Sequence, residues 1–428
     1  MRDDADPVRR TLLAAGGLGL ASLPATAAAA APPPPAPVDK GAAQGGGIEF
    51  PPIHDPKTER AEGQPPNSDG PDRRVGFAIV GLGRLALQNI IPAIGQSKHA
   101  RVTALVSGDP EKMRVVAAQL GIGPEHCYGY DAIERLRDDA TVQAVYVVTP
   151  NALHRDHVVR AARAGKHVLC EKPMATSPAE AREMVAACRD AGRLLMIAYR
   201  CQYEVYNREV IRRVRAGELG QVRAIVAVNT QAQGDPSQWR QRKALAGGGA
   251  LPDIGLYCLN SSRAVLGEEP VEVTAQISTA EGDPRFREVE SDVAFTLRFP
   301  SGALAHCYTS YAAHERRDLQ VLGTKATADL ANAFAYEGQR LTLNRLEGDA
   351  VANAEISKAH HDQFALEIDH FAECVRSGAK PRTPGEEGVQ DQVIMAAIYE
   401  SARTRRPVAL PRVEGRDAFR GPEPAPPG

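Results

Sequence analysis

The segment that most constrains this chain is Gly81-Leu82-Gly83-Arg84-Leu85-Ala86. It lies between the apolar run Val75-Gly76-Phe77-Ala78-Ile79-Val80 and a helical stretch expected to end near residue 94. A short apolar run closed by glycine reads as a strand buried on both faces. Gly81 permits the tight turn out of that strand, and Gly83 lets the backbone approach a pyrophosphate. Ala86 is small enough for the next helix to lie close. The start of that helix supplies N–H donors and the positive end of its dipole. In this strand–turn–helix context the pattern predicts dinucleotide binding, with Gly81, Leu82, Gly83, Arg84 and Leu85 lining the cofactor.

The same rhythm continues. Strands are expected at 102–106, 142–148, 168–169 and 194–198, with helices at 111–120, 153–164 and 179–191 between them. Alternation of this kind predicts a parallel, doubly wound sheet, a Rossmann domain over residues 73–200. After residue 203 the rhythm changes. One helix (207–216) precedes strand candidates at 222–230, 271–278, 292–299, 303–310, 319–322 and 326–330. Strands without intervening helices predict an open antiparallel sheet, so residues 201–412 read as an α+β domain. The fold class is α/β plus α+β. Helices at 364–376 and 386–402 close the second domain, the latter expected to pack back on the first, and 413–428 form a tail.

Composition excludes some partners. The 428 residues carry a net charge of −2, with no basic excess to suggest nucleic acid. No apolar run reaches the ~18–20 residues of a membrane span. The seven cysteines are scattered without metal-ligand spacing, so no metal site is expected and most read as buried small hydrophobes. Arg9-Arg10, a mildly apolar stretch to Leu23 and Ala25-Thr26-Ala27 read as a Tat-type signal over residues 1–31, predicting export of a folded protein to the periplasm. Residues 32–72, with Pro32-Pro33-Pro34-Pro35 and Gly45-Gly46-Gly47, form an extended arm that Ile48, Phe50 and Ile53 could anchor.

The end of the second strand bears on cofactor choice. Ser107 and Lys112, with help from Arg84, can donate to a 2′-phosphate and favour NADP. Asp109, placed on the ribose, would select NAD instead. Pro150 and Asn151 follow the 142–148 strand and His154 opens the next helix, all three on the nicotinamide side. Cys170-Glu171-Lys172-Pro173 then presents a lysine from a stiff turn after a strand. Downstream, Gly247-Gly248-Gly249 leads to Asp253 and Tyr257, four residues apart and thus on one helix face. A phenol, an ammonium and a carboxylate can handle the proton that accompanies hydride transfer at a hydroxyl. Tyr257 would move the proton, its pKa lowered by Lys172. Lys172 would hold the oxygen, and Asp253 would orient the sugar or the lysine.

The GLG turn, Glu171-Lys172-Pro173 and the Gly247-Gly248-Gly249…Asp253…Tyr257 stretch together resemble the glucose–fructose oxidoreductase / inositol dehydrogenase / rhizopine catabolism family. Tyr199-Arg200-Cys201, Trp239-Arg240 and Pro384-Gly385-Glu386-Glu387-Gly388 extend the resemblance, which spans about residues 72–407. It runs to the family's periplasmic sugar–sugar oxidoreductases. The resemblance implies a tightly held NADP that cycles in place, an aldose such as glucose oxidised to its lactone, and a ketose such as fructose reduced to sorbitol. It implies catalytic roles for Lys172, Asp253 and Tyr257, and a cofactor pocket that includes Glu171, Arg200, Trp239 and Arg240. A homo-oligomer (dimer or tetramer) is also implied, assembled through the open sheet and an arm that wraps a neighbour. The chain departs from that pattern at Gln202, where histidine is expected, and at Arg84 in place of lysine. Three alternatives stand beside this reading: a sugar or inositol dehydrogenase with dissociable NAD(P), an NAD-dependent glycosidase, and a sugar-binding protein without catalysis.

Overall fold

A computed structural model describes Gly70 and residues 73–425; the segment read as an export signal and, but for Gly70, the segment read as an arm, with Ile48, Phe50 and Ile53, lie outside the described residues. Six strands form the first sheet: β1 (Val75–Val80), β2 (Ala100–Val106), β3 (Cys127–Tyr128), β4 (Ala144–Val147), β5 (His167–Glu171) and β6 (Leu195–Ala198). Their order is β3-β2-β1-β4-β5-β6, with every neighbouring pair parallel. This is the dinucleotide-binding order, in which ligands sit beyond the strands' C-terminal ends where the winding reverses.

Side chains alternate across this sheet because successive Cβ atoms point to opposite faces. Phe77, Ile79, Leu105, Tyr146 and Leu169 share one apolar layer with Ile90, Ile94 and Phe371. Ala78, Val80, Val145, Val147 and Val168 share the other with Val158 and Met184. The helix after the glycine turn begins as a π-helical stretch, Ala86–Ile90, before α-helical Ile91–Gln96.

The second sheet has nine strands: β7 (Val222–Thr230), β8 (Glu272–Ser278), β9 (Asp292–Arg298), β10 (Leu304–Ser310), β11 (Arg316–Gly323), β12 (Ala326–Ala331), β13 (Arg340–Glu347), β14 (Ala350–Ile356) and β15 (Val408–Ala409). Their order is β14-β13-β12-β11-β7-β10-β9-β8-β15. Two points correct the sequence reading. The sheet is mostly antiparallel, but β7 and β10 pair in parallel. The hairpin β13–β14 and the short β15 were not anticipated. In that hairpin Leu341 and Leu343 alternate inward, but Leu346 and Val351 are exposed, so the alternation is too short to mark two half-buried strands.

The helix Gly385–Thr404 packs against the helix Pro178–Asp190 and β6 of the first sheet and against β8 of the second. Gly388 allows the approach, since a Cβ there would lie 2.6 Å from Met174 Sδ. All seven cysteines are free thiols, and all but Cys127 are buried. Among the described residues no helix is long and apolar enough to cross a membrane.

Candidate active site

The loops beyond β1, β2, β4, β5 and β6 meet at one edge of the parallel sheet. After β1, Gly81 adopts φ +101°, and a Cβ there would lie 2.9 Å from both Thr149 Cγ2 and the Val148 carbonyl oxygen. Only glycine fits. Gly83 is different, because a Cβ there would meet nothing within 4 Å. The space it faces is open, as a pyrophosphate lying on the backbone requires, so this turn fits a dinucleotide. Leu82 is buried, Leu85 half-buried and Arg84 exposed, with Arg84 Nε donating to Gln88 Oε1.

Beyond β2, Ser107 is buried and its hydroxyl accepts from the Asp109 N–H at 3.1 Å. Asp109 caps the helix Pro110–Leu120, its Oδ1 accepting from the Lys112 N–H at 3.0 Å. Lys112 Nζ lies 3.9 Å from Asp109 Oδ2. Thus Asp109 is engaged in starting the helix, an ordinary use of aspartate.

Beyond β4 the structure corrects one expectation. His154 is fully buried, with its ring nitrogens 2.9 and 2.8 Å from the Pro173 and Thr149 carbonyl oxygens. It braces the β4 loop against the lysine turn and presents no atom to a ligand. Asn151 is also buried, its amide donating to the Ala246 carbonyl of the second domain at 2.9 Å; Pro150 beside it is half-buried.

Lys172 follows β5 and joins a peptide to Pro173 that is cis. Its ammonium donates to Asp253 Oδ1 at 3.0 Å and to the Asp253 carbonyl at 2.8 Å. Asp253 Oδ2 accepts from Arg240 Nε at 3.0 Å and from the Tyr311 hydroxyl at 2.6 Å. Burial opposes the Asp253 charge, but Lys172 and then Arg240 outweigh it and hold the carboxyl well below its usual range. Burial likewise opposes the Lys172 charge, and Asp253, Tyr257 and Glu171 together raise its pKa nonetheless. The pair is therefore ionised at neutral pH. Asp253 lies in a π-helical stretch, Leu251–Gly255, that runs into the helix Leu256–Leu266 carrying Tyr257.

Tyr257 completes the cluster. Lys172 Nζ sits 4.7 Å from its ring centre, and Arg200 Nε donates to its hydroxyl at 3.1 Å. Here the sequence reading is corrected in sign. Arg200 and Lys172 do pull the phenol pKa down, but burial is the larger effect and the net result is a rise to about 12. Ionising it costs up to about 3 kcal/mol more than in free tyrosine. The phenol stays protonated at neutral pH.

Two residues expected at the cofactor lie behind this cluster instead. Glu171 is buried, accepting from the Tyr146 hydroxyl at 2.8 Å and from the Lys172 N–H at 3.2 Å. Arg200 is 4% exposed and spends its guanidinium on Tyr257, Gln363 Oε1 (2.6 Å) and the Phe334 and Ala335 carbonyls (2.6 and 3.2 Å). Both shape the lysine–phenol pair because their polar atoms are already committed inside the protein. Trp239 and Arg240 stay together at the rim, the guanidinium 4.6 Å from the indole. Tyr311 and Gln363 were not anticipated. Tyr311 directly follows β10, a placement that could have marked it; Gln363 reaches Arg200 from 163 residues away, which no local pattern reveals.

Comparison with known proteins follows the same two-domain division. Residues 75–199 match the model of an oxidoreductase family with an NAD-binding Rossmann fold, and residues 207–329 match a GFO/IDH/MocA C-terminal domain. The aldose–aldose oxidoreductase of Caulobacter crescentus, solved with glycerol, is 45% identical, with a TM-score of 0.76 over 79% of this chain and 100% of that one. An NADP-dependent D-xylose 1-dehydrogenase of Haloarcula marismortui is 34% identical over 79% of this chain and 94% of its own length. A 1,5-anhydro-D-fructose reductase of Ensifer adhaerens is 31% identical over 77% and 96% respectively.

Proposed function

The chain belongs to the GFO/IDH/MocA family of sugar oxidoreductases, and from that premise we propose that it couples two sugars through one retained NADP. An aldose is oxidised at C1 to its lactone, and a second sugar carbonyl is reduced to an alditol at the same site. Glucose and fructose, giving gluconolactone and sorbitol, are the first pair to test. An aldose in the acceptor role is a second reading, favoured by the 45%-identical aldose–aldose oxidoreductase.

One observation carries the proposal: the ionised Lys172–Asp253 pair, packed on a protonated Tyr257, lies at the same sheet edge as the open Gly83 turn. When bound, a nicotinamide would supply the hydride chemistry. The proton falls to the chain. Lys172 directs two of its three N–H donors at Asp253 and can aim the third at the substrate oxygen. Tyr257 donates to the carbonyl oxygen in reduction and receives from the hydroxyl in oxidation. Arg240 and Tyr311 hold the far oxygen of Asp253 and so fix where Lys172 points.

Use of NADP is supported by the NADP-dependent relative and by Asp109, which caps a helix while Ser107 and Lys112 stand beside it. Export by the Arg9-Arg10 signal would suit a nucleotide acquired before transport and never released. Assembly through the open face of the second sheet, with the arm exchanged between subunits, completes the proposal. Gel filtration followed by mass spectrometry of the denatured protein tests retention. One NADP per chain supports the reading, whereas a nucleotide-free protein that turns over only with added NAD(P) indicates an ordinary dehydrogenase. Release of phenol from an aryl glycoside would indicate the glycosidase chemistry.

A further inference from the structure

A protonated Tyr257 can receive a proton from substrate only if it passes its own proton on. The structure holds a polar path in the right place. A cavity of about 10 Å³ lies against Lys172 and Tyr257, lined also by Tyr199, Cys201, Asn260 and Ser261. That is about the space one water needs, and the lining offers more than the two polar partners that keep a water in place. Tyr199 is 3% exposed, and its hydroxyl is directed toward the Asp391 carboxylate. A buried phenol that lines the cavity and reaches Asp391 is placed to link the two.

Beyond the cavity lies a buried charge cluster. Asn260 donates to Asp391 Oδ2 at 2.8 Å and to Glu387 Oε1 at 3.0 Å, and its carbonyl accepts from Gln202 at 2.8 Å. Arg263 pairs with Glu269 at 2.7 Å, Glu387 at 2.9 Å and Asp391, and Arg420 pairs with Glu387 at 2.9 Å. All five charged side chains are at most 1% exposed. Arg420 also pairs with Asp417 at 3.2 Å, through which the cluster continues to Arg215 and Arg382. Burial pushes the Asp391 pKa up, with Arg263 opposing and Glu387 adding to the rise. The Tyr199 phenol, raised first by burial, also feels Asp391 and Glu387.

We propose that Tyr199 and a water in this cavity carry protons between Tyr257 and the Asp391–Glu387 carboxylates. This rests on the sugar oxidoreductase reading above. In oxidation the substrate O–H bond breaks as hydride leaves carbon. Its proton binds the Tyr257 oxygen while the Tyr257 proton moves to the water, a water proton to Tyr199, and the Tyr199 proton to Asp391. In reduction each proton moves one place back, and the carbonyl oxygen gains the proton that the first sugar lost. Gln202, where the family pattern has histidine, belongs to this cluster through Asn260 and also donates to Glu387 at 3.2 Å.

Two experiments test the route. A high-resolution crystal structure should show one ordered water within hydrogen-bond distance of Tyr199 Oη and of Lys172 Nζ or Tyr257 Oη; a dry cavity overturns the proposal, whatever the enzyme's substrates are. In Tyr199→Phe, single-turnover reduction of the bound nucleotide by aldose should slow about tenfold, with the half-saturating sugar concentration unchanged and a larger solvent deuterium isotope effect. Ser261→Val, which fills the cavity, should do the same if Tyr199→Phe fails to fold. A rate within about twofold of wild type and an unchanged isotope effect overturn the route. A wild-type protein whose nucleotide no sugar reduces would instead count against the proposed function, leaving the crystallographic test standing.

Discussion

Lys172 and Asp253, 81 residues apart in sequence, meet through two hydrogen bonds from one ammonium, 2.8 Å to the carbonyl and 3.0 Å to the carboxylate of the aspartate. Removing the ammonium leaves Asp253 still held by Arg240 and Tyr311. Lys172→Ala should therefore fold and keep its nucleotide while kcat falls by roughly a thousandfold, within the range for loss of a proton-handling group. Steady-state kinetics beside the absorbance of bound nucleotide check this. Near-normal kcat would remove Lys172 from the chemistry.

The two glycines of the turn should respond differently. Gly81→Ala forces a Cβ to within 2.9 Å of backbone at a positive φ, so thermal stability and nucleotide content should fall together. Gly83→Ala meets no protein atom, so stability should hold while nucleotide affinity drops about tenfold or more. Thermal melts with and without added NADP separate the two outcomes.

Cofactor preference should follow Ser107 and not Asp109. Ser107→Asp brings a carboxylate against a 2′-phosphate and should shift binding from NADP toward NAD. Asp109→Ala removes a helix cap, costing about 1 kcal/mol of stability, and should leave the preference unchanged. Titration of nucleotide-stripped protein with each dinucleotide checks both, and a switch on losing Asp109 would relocate the ribose contact.

His157 should make the fold acid-sensitive. It is 4% exposed, and burial lowers its pKa from 6.5 to about 4, Asp156 pulling weakly the other way. The unfolded chain then binds a proton more readily than the folded one between those values. Its contribution is full above pH 6.5 and lost as pH falls toward 4. His157→Phe keeps a ring against Tyr130, which lies 5.1 Å away centre to centre. Wild type should lose about 2 kcal/mol relative to this variant between pH 7 and 4.5, read by urea unfolding at both values.

Much of this arrangement was legible in the residues alone. The Gly81–Ala86 turn and the alternating short elements disclose the first domain because buried parallel strands are uniformly apolar and their turns use glycine. Lys172, Asp253 and Tyr257 were recognisable because each sits beside chain-stiffening or glycine-rich sequence. What stayed hidden depends on distance and burial. His154 looks like a crevice residue until both of its ring nitrogens are found on carbonyls. Arg200 and Glu171 reveal their supporting place only when Gln363, Phe334 and Tyr146 arrive from elsewhere in the chain. The phenol pKa could not be signed from sequence, because two cations and burial compete there and only packing decides between them. In the hairpin β13–β14 the apolar period is confined to Leu341 and Leu343, too short to read as two strands.

The central claim is that one nucleotide stays on the protein and alternates between oxidation states as sugars pass through. The most direct measurement follows the near-ultraviolet band of reduced nicotinamide in gel-filtered protein with no cofactor added. Glucose alone should raise that band to one equivalent per chain, and a following excess of fructose, or of a second aldose, should abolish it while alditol accumulates. A band that never rises, or that rises and is not discharged by any sugar, would contradict the account.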